Sequence, residues 1–103
     1  MAAPAVVFAS FSPRPDKVDA LRAELDVMVE NTRRESGCEV YDLYQSGEDA
    51  VRFHLFERYT DAAALEAHRA ADYYKAYRAN VADLLESPIE VAVLTEADVA
   101  GSA

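Results

Sequence analysis

The chain has 103 residues, 51% hydrophobic and 28% charged, which suits one globular domain of modest core rather than a disordered segment. Nineteen acidic residues against ten basic ones give a formal charge of −9, so the basic footprint that phosphate backbones require is missing; nucleic acid and anionic membrane surfaces are excluded as partners. One cysteine, Cys38, leaves no internal disulfide and no multi-cysteine metal site, and no apolar run nears the roughly 20 residues that span a bilayer. The opening MAAPAVVFASF has no positively charged leader and reads as structure, so the expected location is cytoplasmic.

In chain order, residues 5–12 predict a first strand in which Val7, Ala9 and Phe11 alternate with Val6, Phe8 and Ser10. Pro13 and Pro15 end it, since neither can donate to a sheet ladder. Asp16 is placed to cap the longest helix, whose stripe is Val18, Leu21, Leu25, Met28, Val29 and Thr32 at three- and four-residue spacing. Glu35, Ser36 and Gly37 close that helix, with Gly37 expected in the left-handed conformation. Residues 38–45 predict a second strand, and the turn at 46–49 returns it as a hairpin to a third strand from Arg52.

In that third strand Phe53, Leu55, Glu57 and Tyr59 share one side, and Arg52, His54, Phe56 and Arg58 the other. Apolar groups on both sides predict a strand covered on both faces. Asp61 then caps a short Ala-rich helix that turns Ala64, Leu65 and His68 inward. Asp72 starts another helix, striped by Tyr74, Tyr77, Val81, Leu84 and Leu85 and ended by Pro88. Residues 89–95 predict the last strand, and residues 96–103, without pattern, are expected to fray or to reach onto a partner.

The order β-α-β-β-α-β is the ferredoxin-like plan of the α+β class: a four-stranded antiparallel sheet with helices on one face. One domain spans residues 1–103, with its core over 5–95 and a flexible tail over 96–103. The plan leaves the other sheet face bare, carrying some combination of Val6, Phe8, Tyr41, Leu43, His54 and Phe56. An apolar face of that size predicts a homodimer with the two sheets packed face to face.

The runs RRESGCEVYDLY, FERYTDAAALEAH and YYKAY resemble the antibiotic biosynthesis monooxygenase family of dimeric α+β barrels, over nearly the whole chain. The resemblance is carried mainly by Glu57, Tyr59, Asp61, Ala64, Leu65 and His68, preceded by Glu35, Gly37 and Tyr41. It implies a pocket between sheet and helices in each subunit, lined by inward strand residues and the helix bearing His68. Members of that family oxidise quinol or polyphenol rings with O2 and no cofactor, degrade haem, or process a phosphorylated autoinducer sugar; others have no known activity. Where quinol-oxidising and sugar-processing members carry H-x-x-x-P-H, this chain has Asp72 and Tyr73 after His68, so a mechanism needing two histidines there is not carried over. The haem-degrading branch relies on a strand tryptophan and an asparagine near the first strand; Tyr59 stands in place of the tryptophan and the asparagine is absent, so haem is excluded.

Oxygenation without a cofactor requires a substrate made electron-rich by deprotonation, hence a base, a dry aromatic pocket and donors for the resulting anion. An imidazole, with an unperturbed pKa of about 6.5, is the best base candidate, which singles out His68. The alternative for His68 is a half-buried histidine bonded to a backbone carbonyl or to Glu57. Glu57 is expected to orient His68, or else to form a structural ion pair with an arginine. Tyr44 and Tyr59, by resemblance, point into the pocket to hold a substrate oxygen, with ordinary core packing as the alternative. Phe53 and Leu55 are expected to line the substrate pocket and Tyr74 to close its mouth, while His54 belongs to the dimer side. The expected activity is a cofactor-independent monooxygenase taking a quinol-like or polyphenolic ring, with O2 as co-substrate. The alternatives are an isomerase or sugar-phosphate-processing enzyme, for which Arg69 and Lys75 are the nearby cations, and a non-catalytic small-ligand-binding dimer.

Overall fold

Period-two alternation builds the strands and three-to-four spacing builds the helices. In the computed structural model, which describes residues 3–101, the elements are β1 (Ala5–Phe11), α1 (Val18–Thr32), β2 (Cys38–Ser46), β3 (Arg52–Tyr59), α2 (Ala62–Ala70), α3 (Asp72–Ala82) and β4 (Glu90–Leu94). The strands form one antiparallel sheet in the order β2-β3-β1-β4, the ferredoxin-like α+β arrangement. Leu21, Leu25 and Met28 of α1 and Tyr77 and Val81 of α3 are buried with Ala9, Phe11, Phe53 and Leu55 of the sheet. The Arg14 amide donates to Leu84 O and the Glu86 amide to Ser12 O, each at 2.8 Å, tying the end of β1 to the chain after α3. Among the described residues no helix is long and apolar enough to cross a membrane.

The local helix signals divide. Asp61 caps α2 as expected, its carboxylate accepting from the Ala64 amide at 2.8 Å. Asp16 does not cap α1: the cap position falls to Lys17, with no side-chain hydrogen bond. α1 stops at Thr32, and Gly37 is not left-handed, since the positive φ values among the described residues belong to Gly47 and Gly101. Gly37 answers a different need. A Cβ there would sit 2.5 Å from the Ala64 Cβ, so its bare backbone lets the first turn of α2 approach the chain leaving α1. Its carbonyl accepts from the Thr60 amide at 2.9 Å across the same contact.

The sheet departs from strict alternation at one place. Cys38 pairs with Tyr59 and Val40 with Arg58, so Glu39 is an extra residue in β2. Beyond this bulge Tyr41, Leu43 and Gln45 oppose the inner residues Glu57, Leu55 and Phe53. Tyr41 and Leu43 therefore belong to the helix side, and Tyr44, opposite His54, belongs to the bare side. β3 is covered on one face only: Phe53, Leu55, Glu57 and Tyr59 are buried, while their alternates are half-buried. On the bare face Phe8 and Tyr44 are 39% and 56% exposed, and with His54 and Phe56 they border an apolar hollow. The segment after β4 is held at its start by a 2.7 Å ion pair between Glu96 and Arg58; residues 102–103 of the expected tail lie outside the described residues.

Candidate active site

His68 sits in the last turn of α2, one turn beyond the Ala64 that abuts Gly37, so the close packing there presses its ring onto the chain leaving α1. The ring is 2% exposed. Its Nδ1 lies 2.9 and 3.2 Å from the two carboxylate oxygens of Glu35. Glu35 is held by its own backbone: its amide donates to Thr32 O at 3.0 Å and its carbonyl accepts from the Cys38 amide at 3.1 Å. A carboxylate at Nδ1 selects the tautomer with the proton on that nitrogen, which leaves the lone pair on Nε2. Tyr59, Tyr41 and Tyr74 enclose the ring, with centroids 5.3, 5.8 and 5.0 Å away and Tyr74 edge-on.

Glu57 forms a separate pair. Its Oε1 accepts from the Tyr59 hydroxyl at 2.6 Å, an alignment set by their i, i+2 positions on the inner face of β3. Burial pushes the Glu57 carboxyl up to about 7 from its ordinary 4.5, against the opposing pull of the Tyr59 hydrogen bond and the Arg69 charge. Burial and the adjacent Glu57 charge raise the Tyr59 phenol well above its usual range, so it remains a neutral donor. Burial likewise raises Tyr41 and Tyr77, and pushes the Cys38 thiol up to about 11, so this half-buried cysteine stays a neutral thiol.

His68 and Glu57 meet at one cavity. It is walled by Val7, Ala9 and Phe11 of β1, Tyr41, Tyr74, Tyr77, Arg69, Arg78, Ile89 and Val91, and its free space of about 20 Å³ admits one water molecule. Tyr74 is among the residues lining this cavity, and its hydroxyl accepts from Arg78 Nη1 at 3.0 Å. Tyr41 is 1% exposed, and its hydroxyl lies near that of Thr32, yet neither completes a hydrogen bond. No group of three or more histidine, cysteine, aspartate or glutamate side chains converges to hold a metal among the described residues.

The expected site is thus partly reassigned. His68, Glu57 and Tyr74 come together at the cavity. The carboxylate on His68 is Glu35, 33 residues away in sequence, and not Glu57, which is occupied by Tyr59. Tyr59 touches the His68 ring but spends its hydroxyl on Glu57, so it holds no substrate oxygen in this arrangement. Tyr44 is excluded from the site by the bulge, which turns it to the bare sheet face. Phe53 and Leu55 face the right way, yet they are covered by the α1 side chains and form core beneath the cavity rather than its lining. Sequence periodicity missed Tyr41 because of the same bulge. Tyr77 was legible as part of the α3 stripe, but nothing in the stripe marked it as cavity wall, and Arg78 beside it carried no signal.

Comparison with known proteins agrees with this fold. The family model described as "Antibiotic biosynthesis monooxygenase" matches residues 4–80. The chain is 48% identical over 102 residues to the Mycobacterium tuberculosis protein named "Putative monooxygenase Rv0793", covering 99% of this chain and 100% of that protein. The solved structure of Rv0793 superposes with a TM-score of 0.91, covering 96% of this chain and 100% of that one. A second structure, described as a "Putative antibiotic biosynthesis monooxygenase from Nitrosomonas europaea", is 27% identical with a TM-score of 0.85, covering 93% and 92% of the two chains.

Proposed function

The chain belongs to the antibiotic biosynthesis monooxygenase family, and from that premise we propose that it is a monooxygenase that oxidises a quinol-like or phenolic ring with O2 and no resident cofactor. The observation that carries the reading is a buried histidine, bonded through Nδ1 to Glu35, facing an aromatic-walled cavity that also holds a protonatable Glu57.

In this reading His68 Nε2 takes the proton of a ring hydroxyl, and Glu35 stabilises the resulting imidazolium through Nδ1. The electron-rich phenolate then adds O2 at a ring carbon. Breaking the O–O bond releases one oxygen as water and leaves the other as a carbonyl, so a phenol plus O2 gives a quinone plus water. The His68 imidazolium and neutral Glu57 supply the two protons with which the departing oxygen leaves as water, and Glu57 regains its proton as the ring carbon loses its hydrogen. Tyr74 must swing aside to admit the ring and then exclude water. Two copies packed through their bare sheet faces complete the assembly, leaving one cavity per subunit.

The test is O2 uptake with a panel of hydroquinones and polycyclic phenols. Wild-type protein is expected to consume O2 and His68→Ala to lose about 10²–10⁴-fold of the rate. Turnover that persists without oxygen turns the assignment toward an isomerase or sugar-phosphate-processing enzyme, and a His68→Ala rate equal to wild type removes the base. The narrow cavity favours one further reading, a non-catalytic dimer that binds a small ligand, and binding without turnover across the panel would select it.

A further inference from the structure

The arginines of this chain are unevenly partnered. Arg22, Arg33, Arg34, Arg52 and Arg58 each reach a carboxylate within 3.3 Å, and Arg14 donates to the Asp83 carbonyl. Arg69 and Arg78 make no close ion pair with a carboxylate among the described residues, Arg69 acting on Glu57 only as a more distant charge, although the chain carries nine excess negative charges. Both of them stand at the wall of the His68 cavity, one from α2 and one from α3. Arg78 holds only the Tyr74 hydroxyl, at 3.0 Å, with its guanidinium 5.9 Å from the centre of that ring.

We propose that Arg69 and Arg78 form an anion clamp at the mouth of this cavity, so that the substrate is a phenolic ring bearing a carboxylate or a phosphate monoester. The proposal rests on the reading of this cavity as the substrate site. A guanidinium presents paired N–H donors that match a carboxylate or phosphate edge, and two of them across one mouth can hold the anion from both sides. A protein at −9 repels anions at long range, so a local positive rim is what makes their capture feasible. An anion on Arg78 also competes with the Tyr74 hydroxyl for the same guanidinium. Binding of the charged group would thereby free the Tyr74 side chain at the cavity wall, coupling recognition of the anion to enlargement of the cavity.

The experiment is calorimetric titration, without O2, of wild type and of the Arg69→Gln/Arg78→Gln double variant with three matched probes: 2,5-dihydroxybenzoate, hydroquinone monophosphate and the neutral 2,5-dihydroxybenzamide. Wild type is expected to bind at least one anion about tenfold or more tighter than the amide, with a preference that shrinks as salt rises from about 0.05 to about 0.5 M. Which anion wins identifies the charged group. In the double variant the preference is expected to fall below about threefold, with far-UV circular dichroism verifying its fold. Equal affinity for amide and anions, an undiminished preference in the variant, or no anion binding at millimolar concentration overturns the clamp. Oxygen uptake is measured separately on the same compounds. An anion preference without O2 uptake leaves the clamp standing and removes the oxygenase, whereas O2 uptake on the neutral amide with no anion preference does the reverse.

Discussion

Burial lifts the Glu57 carboxyl to about 7 in the folded protein, whereas in the unfolded chain it returns to about 4.5. Between those values the folded state keeps a proton that the unfolded chain has released, so rising pH favours unfolding. The stability present below pH 4.5 is lost as pH climbs through 7, by about 3 kcal/mol, because each tenfold difference in proton affinity between the two states is worth about 1.4 kcal/mol. Glu57→Gln can still accept from Tyr59 and has nothing to titrate. Urea unfolding of both proteins from pH 4.5 to 8 is therefore expected to show wild type losing about 3 kcal/mol relative to the variant, and parallel curves would count against a raised Glu57. Tyr59→Phe removes a hydrogen bond that favours the carboxylate, so the Glu57 carbon-13 resonance is expected to titrate above pH 7 in that variant. At His68 the corresponding change is Glu35→Gln. A neutral amide can no longer impose the Nδ1–H tautomer by charge, and the nitrogen-15 shifts of the ring are expected to show a mixed population of tautomers. The same variant is expected to slow O2 uptake by a hydroquinone while leaving the fold intact, and unchanged shifts would remove Glu35 as a positioning residue.

At the scale of elements, the site depends on how closely α2 can lie against the chain between α1 and β2. Gly37→Ala places a methyl group into the Ala64 Cβ, and α2 must retreat or the turn must distort. The cost is expected at about 1–3 kcal/mol, read as a lower melting temperature, together with loss of the His68 tautomer preference as Glu35 and His68 part. A stability equal to wild type would show that the contact has slack. The elements themselves were legible in the sequence where the signal is local: the alternation of β1 and β3, the apolar stripes of α1 and α3, and Asp61 three residues before the amide it caps. Gly37 was legible as a special position, but its reason was a tertiary approach rather than a backbone angle. The face of Tyr44 was not legible, because a single inserted residue at Glu39 inverts the parity of everything after it and leaves the composition of the strand unchanged. Nor was the Glu35–His68 pair, which joins a loop to a helix across 33 residues with no periodicity to announce it.

On the scale of the whole molecule, the bare sheet face has the composition of a surface meant to be covered. Phe8, Tyr44, His54 and Phe56 surround an apolar hollow, and the His54 ring is fixed there by Ser10 at Nδ1 and Ser46 at Nε2, at 2.9 and 2.7 Å, and stacks on Phe8. The arginines around it are already paired within the subunit: Arg58 with both Glu39 and Glu96, Arg52 with Glu90, Arg33 with Asp42. Pairing within the subunit lowers the cost of burying those arginines. The edge strand β4 adds Leu94 to this face, opposite Val6, while Val91 and Val93, opposite Ala9 and Val7, stand exposed on the helix side of the same unprotected edge. The proposed occupant of this face is a second copy of the chain, met by symmetry; each copy brings −9, and that mutual repulsion is screened by salt. Sedimentation equilibrium at micromolar concentration is accordingly expected to give a dimer whose association tightens from low to physiological ionic strength. Phe8→Glu/Tyr44→Glu is expected to give a folded monomer, because it places four unpaired carboxylates in the joint face of the dimer while touching none of the groups around His68. A wild-type monomer under these conditions would leave the apolar face to some other occupant, and a dimer that survives the double substitution would locate the contact elsewhere on the subunit.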